Sequence, residues 1–248
     1  MTAPRASSRA AGDALTGAFV AGATGYVGRA VVRQLAAAGL TPVAHVRPDS
    51  PRLAEWRARF TAEGAVVDAT PWDEAQLTAT LAARRPPAVF ALLGTTRKRA
   101  ASSGDTYESV DYGLTALLLR AARAAAASGA PTPRFVYLSS LGADAAARNP
   151  YLAVRGRLEA ELAAGPVPYV VARPSFITGP DRDESRPAER VGAAVVDALA
   201  VPLRALGARR LTDRYRSTTA DELAAALIRL AADPGAAGRV VEGDGLRG

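Results

Sequence analysis

Cysteine is absent from this 248-residue chain, histidine and lysine occur once each (His45 and Lys98), and the only methionine is Met1. Without thiols there are no disulfides, no thiolate metal ligands and no cysteine nucleophile. A single imidazole excludes a zinc site built on several histidines and argues against a Ser-His-Asp hydrolase, so no metal site is expected. Long apolar runs are missing too. No stretch of about 18 uninterrupted apolar residues occurs, which predicts no membrane span and no membrane partner. Residues 1–9 lack the apolar segment of a secretory signal, so the expected location is cytoplasmic. The net charge is +7, yet it comes almost wholly from scattered arginine; only Arg97-Lys98-Arg99 forms a cluster, and aromatics do not interleave with it. A nucleic-acid partner wants its cations on one face, so none is expected and a small anion suits the charge better.

What is present is an ordinary globular composition, 49% hydrophobic and 22% charged, in a chain long enough for a full core. Residues 1–15 are poor in groups to bury and read as a disordered tail. A rhythm then begins. Short apolar runs at Ala18–Ala21, Thr41–Val46, Ala65–Val67, Ala88–Leu93, Arg134–Leu138 and Val167–Ala172 predict strands. Between them, helical spacing covers Tyr26–Ala38, Arg52–Glu63, Asp73–Arg84, a long stretch from Thr106 to Ser128, and Tyr151–Ala164. Continuous rather than alternating apolar strands, each followed by a helix, mean βαβ units and a parallel sheet covered on both faces. The predicted fold is α/β, a doubly wound Rossmann-type sheet over residues 16–174. Residues 175–248 then supply a small substrate-lid region and the final core elements, with helices near 188–205 and 220–232, and a last strand at Arg239–Glu242.

At the first strand-to-helix junction stands Gly22-Ala23-Thr24-Gly25-Tyr26-Val27-Gly28. Glycine in this place allows a tight turn, lets backbone amides approach a pyrophosphate and lets the helix pack closely on the sheet. The helix N-terminus adds unpaired donors and the positive end of its dipole. Gly22, Thr24, Gly25, Tyr26, Val27 and Gly28 are therefore the expected dinucleotide loop. The second strand ends in His45-Val46-Arg47, with no acid before Asp49. An acid there would accept from the ribose 2′-hydroxyl, whereas Arg47 suits a 2′-phosphate, so NADP(H) is favoured over NAD(H). Asp68, ending the third strand, is placed to accept from the adenine amino group or to cap the strand. His45 reads as a strand-end residue.

These motifs resemble the short-chain dehydrogenase/reductases in their atypical or extended branch, most nearly the Tat-interacting-protein-like and NmrA-like oxidoreductases. The resemblance runs over residues 18–245. Besides the glycine loop it is carried by Leu93-Gly94-Thr95-Thr96-Arg97, Val110-Asp111-Tyr112, the run Phe135 to Asp144, the run Tyr151 to Glu159, and Arg173-Pro174-Ser175. It implies that Ser140 polarises a substrate carbonyl and that Tyr151 is the general acid/base. It also implies that Gly94 and Thr95 line the cofactor, with Pro174 beside the nicotinamide. Where the family has Lys, this chain has Arg155, i+4 from Tyr151 and so on the same helical face. Arginine retains the cation that favours a phenolate and can donate to ribose, but it does not give up its proton. The expected function is an NADP(H)-dependent oxidoreductase acting on a small carbonyl or alcohol substrate. Two alternatives stand beside it: a non-catalytic NADP(H)-binding regulator, and a nucleotide-sugar epimerase or dehydratase. The oligomeric state is left open.

Overall fold

The computed structural model describes residues 15–95, 104, 106–175, 177–178 and 218–247. The expected helix near 188–205, the cluster Arg97–Arg99 and most of the expected lid lie outside these residues. Seven strands form one parallel sheet: β1 (Phe19–Ala21), β2 (Val43–His45), β3 (Val66–Asp68), β4 (Ala88–Ala91), β5 (Arg134–Leu138), β6 (Tyr169–Arg173) and β9 (Arg239–Glu242). Their order is β3-β2-β1-β4-β5-β6-β9, so the winding reverses between β1 and β4. Ala21 lies opposite both His45 and Ala91, Ala91 opposite Tyr137, and Tyr137 opposite Val171. The strands therefore end level, and the segments leaving them gather along one carboxyl edge. Ligands of open α/β sheets bind in the crevice at such a reversal. A separate two-stranded pair, β7 (Ile177–Thr178) with β8 (Thr218–Thr219), is also parallel.

Helices α1 (Tyr26–Ala37), α2 (Leu53–Ala62), α3 (Glu74–Arg84), α4 (Thr115–Ala127), α5 (Pro150–Ala163) and α6 (Ala220–Ala232) cover the sheet. Two buried clusters result, one on each face. Val31, Leu35, Leu223 and Leu227 share the first with Val20 and Phe90, while Leu77, Leu119, Leu158 and Leu162 share the second with Phe19, Val89 and Phe135. The continuous apolar strands are explained by this: successive side chains of β1 point to opposite faces and are buried on both. Caps fix several starts. Asp73 accepts from the Gln76 amide ahead of α3, Asn149 with Pro150 opens α5, and Thr219 with Glu222 forms a capping box at α6. Leu15, expected as the last residue of the tail, is packed into the first cluster.

One element departs from the sequence expectation. The long helix from Thr106 is wound as a π-helix over Tyr107–Leu114 and becomes α4 only from Thr115. Apolar spacing reports a face, not a pitch, so the wider winding leaves no sequence signature. The site depends on it, because the buried Asp111 belongs to this segment.

Candidate functional site

Two of the three loop glycines are required by the backbone around them, and the third is not. Gly22 has φ +83°, and a Cβ on it would stand 2.6 Å from the Leu92 carbonyl oxygen, where β1 and β4 part. Gly28 faces the loop itself, since a Cβ there would lie 2.1 Å from the Gly22 oxygen. Gly25 has φ −73°, open to any residue; it is exposed, and it is the N-cap of α1 without a side-chain cap. No acid occupies the first turn of α1, which leaves the positive end of its dipole uncompensated by charge. Thr24 is half-buried beside it. Val27 points into the core, so only its backbone can meet a ligand. The Tyr26 hydroxyl donates to the Thr178 carbonyl at 3.3 Å and ties this turn to β7.

The margin beyond β2 and β3 divides the two other expected cofactor residues. Arg47 is 42% exposed at its side chain and only loosely paired, 3.8 Å from Asp49. Asp68 is buried and committed: Oδ1 accepts from the Thr70 amide at 3.0 Å, and Oδ2 pairs with Arg84 at 2.9 Å. These bonds, with the Arg84 charge, hold its carboxyl below the ordinary range although burial works the other way. His45 is likewise buried, bonded to the Thr70 carbonyl oxygen at 2.8 Å and set edge-on to Trp72. Burial keeps its ring below the usual imidazole value.

Beyond β4 and β5 a denser arrangement appears. Arg155 on α5 is buried, with Nη2 2.5 Å from Asp111 Oδ1 and 3.2 Å from the Leu93 carbonyl oxygen. Its Nη1 donates to the Leu138 carbonyl and, at 3.5 Å, reaches the Tyr137 hydroxyl. The guanidinium carbon is 5.1 Å from the Tyr151 ring centre, within reach of a cation–π contact. Asp111 Oδ2 accepts from the Thr95 amide at 2.8 Å. Gly94 completes the packing, because a Cβ there would come within 3.1 Å of Arg155 Nη2. Tyr151, Arg155, Gly94 and Thr95 are thus brought together. Both terminal nitrogens of Arg155, expected to meet ribose, are engaged by the protein instead.

The adjacent serines have different duties. Ser139 is buried and donates to Glu159, which Arg173 also holds in a forked pair with contacts between 2.5 and 3.1 Å. Ser140 is half-buried, and its hydroxyl makes only a marginal 3.5 Å contact with the Leu141 carbonyl. Pro174 is buried after β6, its carbonyl accepting from the Leu141 amide at 2.9 Å. Asp111, Glu159 and Arg173 were given no role by sequence reasoning. The available signal was an acid, Asp111, between valine and tyrosine in a stretch expected to pack on the sheet.

The donor set fits a dinucleotide. A glycine turn lies at the reversal of the sheet, with an uncapped helix start beside it. Thr95 Oγ1 and Arg155 Nε are buried without partners at the β4 exit. Among the described residues, no cluster of three or more metal-ligating side chains occurs, and no helix is long and apolar enough to cross a membrane.

Solved structures share the fold. A putative epimerase from Burkholderia cenocepacia J2315 aligns at TM-score 0.60 and 25% identity, over 92% of this chain and 75% of its own. The UDP-glucose 4-epimerase from Brucella ovis in complex with NAD aligns at 0.61 and 19%, over 93% and 78%. Among curated proteins, FMP52-1 of Scheffersomyces stipitis is 39% identical over 100 residues, and fmp52 of Emericella nidulans 37% identical over 115. The matches cover 40% and 46% of this chain, and the chain spans less than half the length of either relative, 41% and 46%. Both are named mitochondrial, which overturns the cytoplasmic expectation: the missing secretory signal spoke only against secretion. Residues 22–197 match the NAD(P)H-binding family, and with most of its length and its glycine turn inside that match the chain belongs to this family.

Proposed function

We propose that this chain is an NADP(H)-dependent oxidoreductase of the short-chain dehydrogenase/reductase kind, acting on a small carbonyl or alcohol. The observation that carries the reading is Tyr151 poised 5.1 Å from a fixed, buried cation, Arg155, at the sheet's carboxyl edge. The cofactor supplies or accepts hydride when bound. The loop Gly22–Gly28 and the turn Gly94-Thr95 hold it, and Arg47 meets the 2′-phosphate. Ser140, left open by the commitment of Ser139 to Glu159, orients the substrate oxygen. Tyr151 gives that oxygen a proton in reduction and takes it back in oxidation. Arg155 contributes its charge; its terminal nitrogens are spent on the protein, which leaves Nε as its one unpartnered donor.

One observation favours a second reading, a nucleotide-binding regulator without turnover. Arg155 spends its terminal nitrogens on Asp111, Leu93 and Leu138, an arrangement that also serves plain structural locking. Nicotinamide absorbance during a broad carbonyl screen, with NADPH and NADH in parallel, separates the two. Tyr151→Phe is expected to lower turnover by about 10²-fold or more with NADPH affinity little changed. Equal rates in wild type and variant would remove Tyr151 from the mechanism. NADPH is expected to bind more tightly than NADH, and Arg47→Ala to erase the difference; equal affinities in wild type would exclude the 2′-phosphate contact.

A further inference from the structure

The ion pair beneath Gly94 lies where two strand exits, the π-wound segment and α5 meet. Asp111 is fully buried, and its two oxygens are divided between the Thr95 amide and Arg155 Nη2. Arg155 in turn grips the carbonyls of Leu93 and Leu138, so the guanidinium plane is fixed from three sides. A buried cation so close to an aromatic ring acts through its field, and the field that arrives depends on what neutralises it. The groups that face this cation are few. Tyr137 comes from β5, its ring centre 5.7 Å away and its phenol pushed up to about 12 by burial. Asp111 comes from the π-helix, together with Tyr107, whose ring meets Tyr151 edge-on at 5.3 Å. Of the other charges on these elements, Glu108, Arg157 and Glu161 pair with one another or with Tyr112 on the outer face, Glu159 is held by Ser139 and Arg173, and Arg134 reaches the Leu230 carbonyl.

We infer that Asp111 is a positioning residue of this site: by orienting and neutralising Arg155, it sets how much positive field reaches Tyr151, so positions 111 and 155 work as one charge-matched unit. The inference deepens the oxidoreductase reading and rests on it for its consequence in catalysis. Arginine cannot relieve its burial by losing a proton, as lysine can. The partner carboxylate is therefore what makes an arginine workable at this position. Burial by itself would raise the Asp111 carboxyl and lower the guanidinium, and each charge supports the other against that cost.

The test is an alkaline titration of tyrosinate absorbance in the whole chain, each variant being repeated on Tyr151→Phe to isolate the Tyr151 transition by difference. Asp111→Asn keeps the side chain's outline and deletes its charge; the transition is expected about one pH unit below wild type. Asp111→Glu, which keeps the charge, is expected to return it towards the wild-type position. A folded Asp111→Asn that titrates as wild type overturns the inference. If that variant does not fold, Arg155→Met and the double variant Asp111→Asn/Arg155→Met replace it. There the lone acid should hold the transition above that of the double variant, and equal transitions overturn the inference as well. In a wild type that turns over a carbonyl, the alkaline limb of the pH–rate profile should shift in the same direction. A wild type that binds NADPH yet reduces nothing refutes the oxidoreductase reading while leaving the titration decisive for Asp111.

Discussion

His45 and Asp68 face each other across the β2–β3 pair, and both are held below their ordinary pKa values for different reasons. Asp68 keeps its charge because Thr70 and Arg84 hold it; His45 loses its charge because nothing nearby outweighs desolvation. A histidine whose folded pKa lies below its unfolded value near 6.5 binds fewer protons folded than unfolded. Its contribution to stability is complete above that value and is lost as pH falls through the window beneath it. His45→Gln, which keeps a hydrogen-bond donor but does not titrate, should flatten the fall in unfolding free energy on going below pH 6.5. Denaturant melts at a series of pH values read this directly, and parallel slopes in both proteins would deny His45 any part. Asp68 acts lower, beneath the ordinary carboxylate value of 3.8, so the two windows are separable. At this scale the sequence was legible in part. The i, i+4 spacing put Tyr151 and Arg155 on one face. It could not reveal that Asp111, 44 residues earlier, would take the guanidinium. A contact of that separation depends on the sheet order, which no local pattern states.

At the scale of elements, the glycine turn shows what spacing does and does not convey. The pattern located the junction, but Gly28 serves the loop's own backbone, while Gly25 alone is exposed where a ligand would approach. The two should therefore fail differently. Gly28→Ala drives a Cβ into the Gly22 carbonyl at 2.1 Å, so the turn must move; stability should fall by about 1–3 kcal/mol along with nucleotide affinity. Gly25→Val meets the same oxygen only at 3.2 Å and with a permitted φ, so the fold should persist while nucleotide binding is lost. Thermal melts beside NADPH titrations separate the outcomes; a Gly25→Val variant that binds normally would move the phosphates elsewhere. Most strands and helices appeared within a residue or two of their expected bounds, because doubly buried strands and one-sided helices announce themselves by apolar spacing. The π winding of Tyr107–Leu114 did not, since the apolar face survives the change of pitch.

At the scale of the whole molecule, α6 and β9 belong to the same core as the strands and helices that precede them. Helix α6 buries Leu223, Leu227 and Leu230 against the same cluster as Val31 and Leu35 of α1. It is anchored there by Gln34, whose amide donates to the Asp221 carbonyl at 2.9 Å. Strand β9 continues the sheet beyond β6, and Arg173 at the end of β6 pairs with Glu242 at the end of β9 at 3.0 Å. Arg134 on β5 reaches the Leu230 carbonyl at the end of α6. Three leucines buried on one helix face represent several kcal/mol of apolar transfer, comparable with the whole stability of an ordinary domain. A chain ending at residue 217 would expose the first cluster and leave β6 as an unprotected edge. That truncation is expected to lose the single cooperative melting transition of the full chain and to aggregate. Circular dichroism melts and sedimentation of both forms check it. A soluble truncation melting cooperatively near the full-length temperature would show that residues 1–217 fold without α6 and β9, and that these two are additions to a finished core.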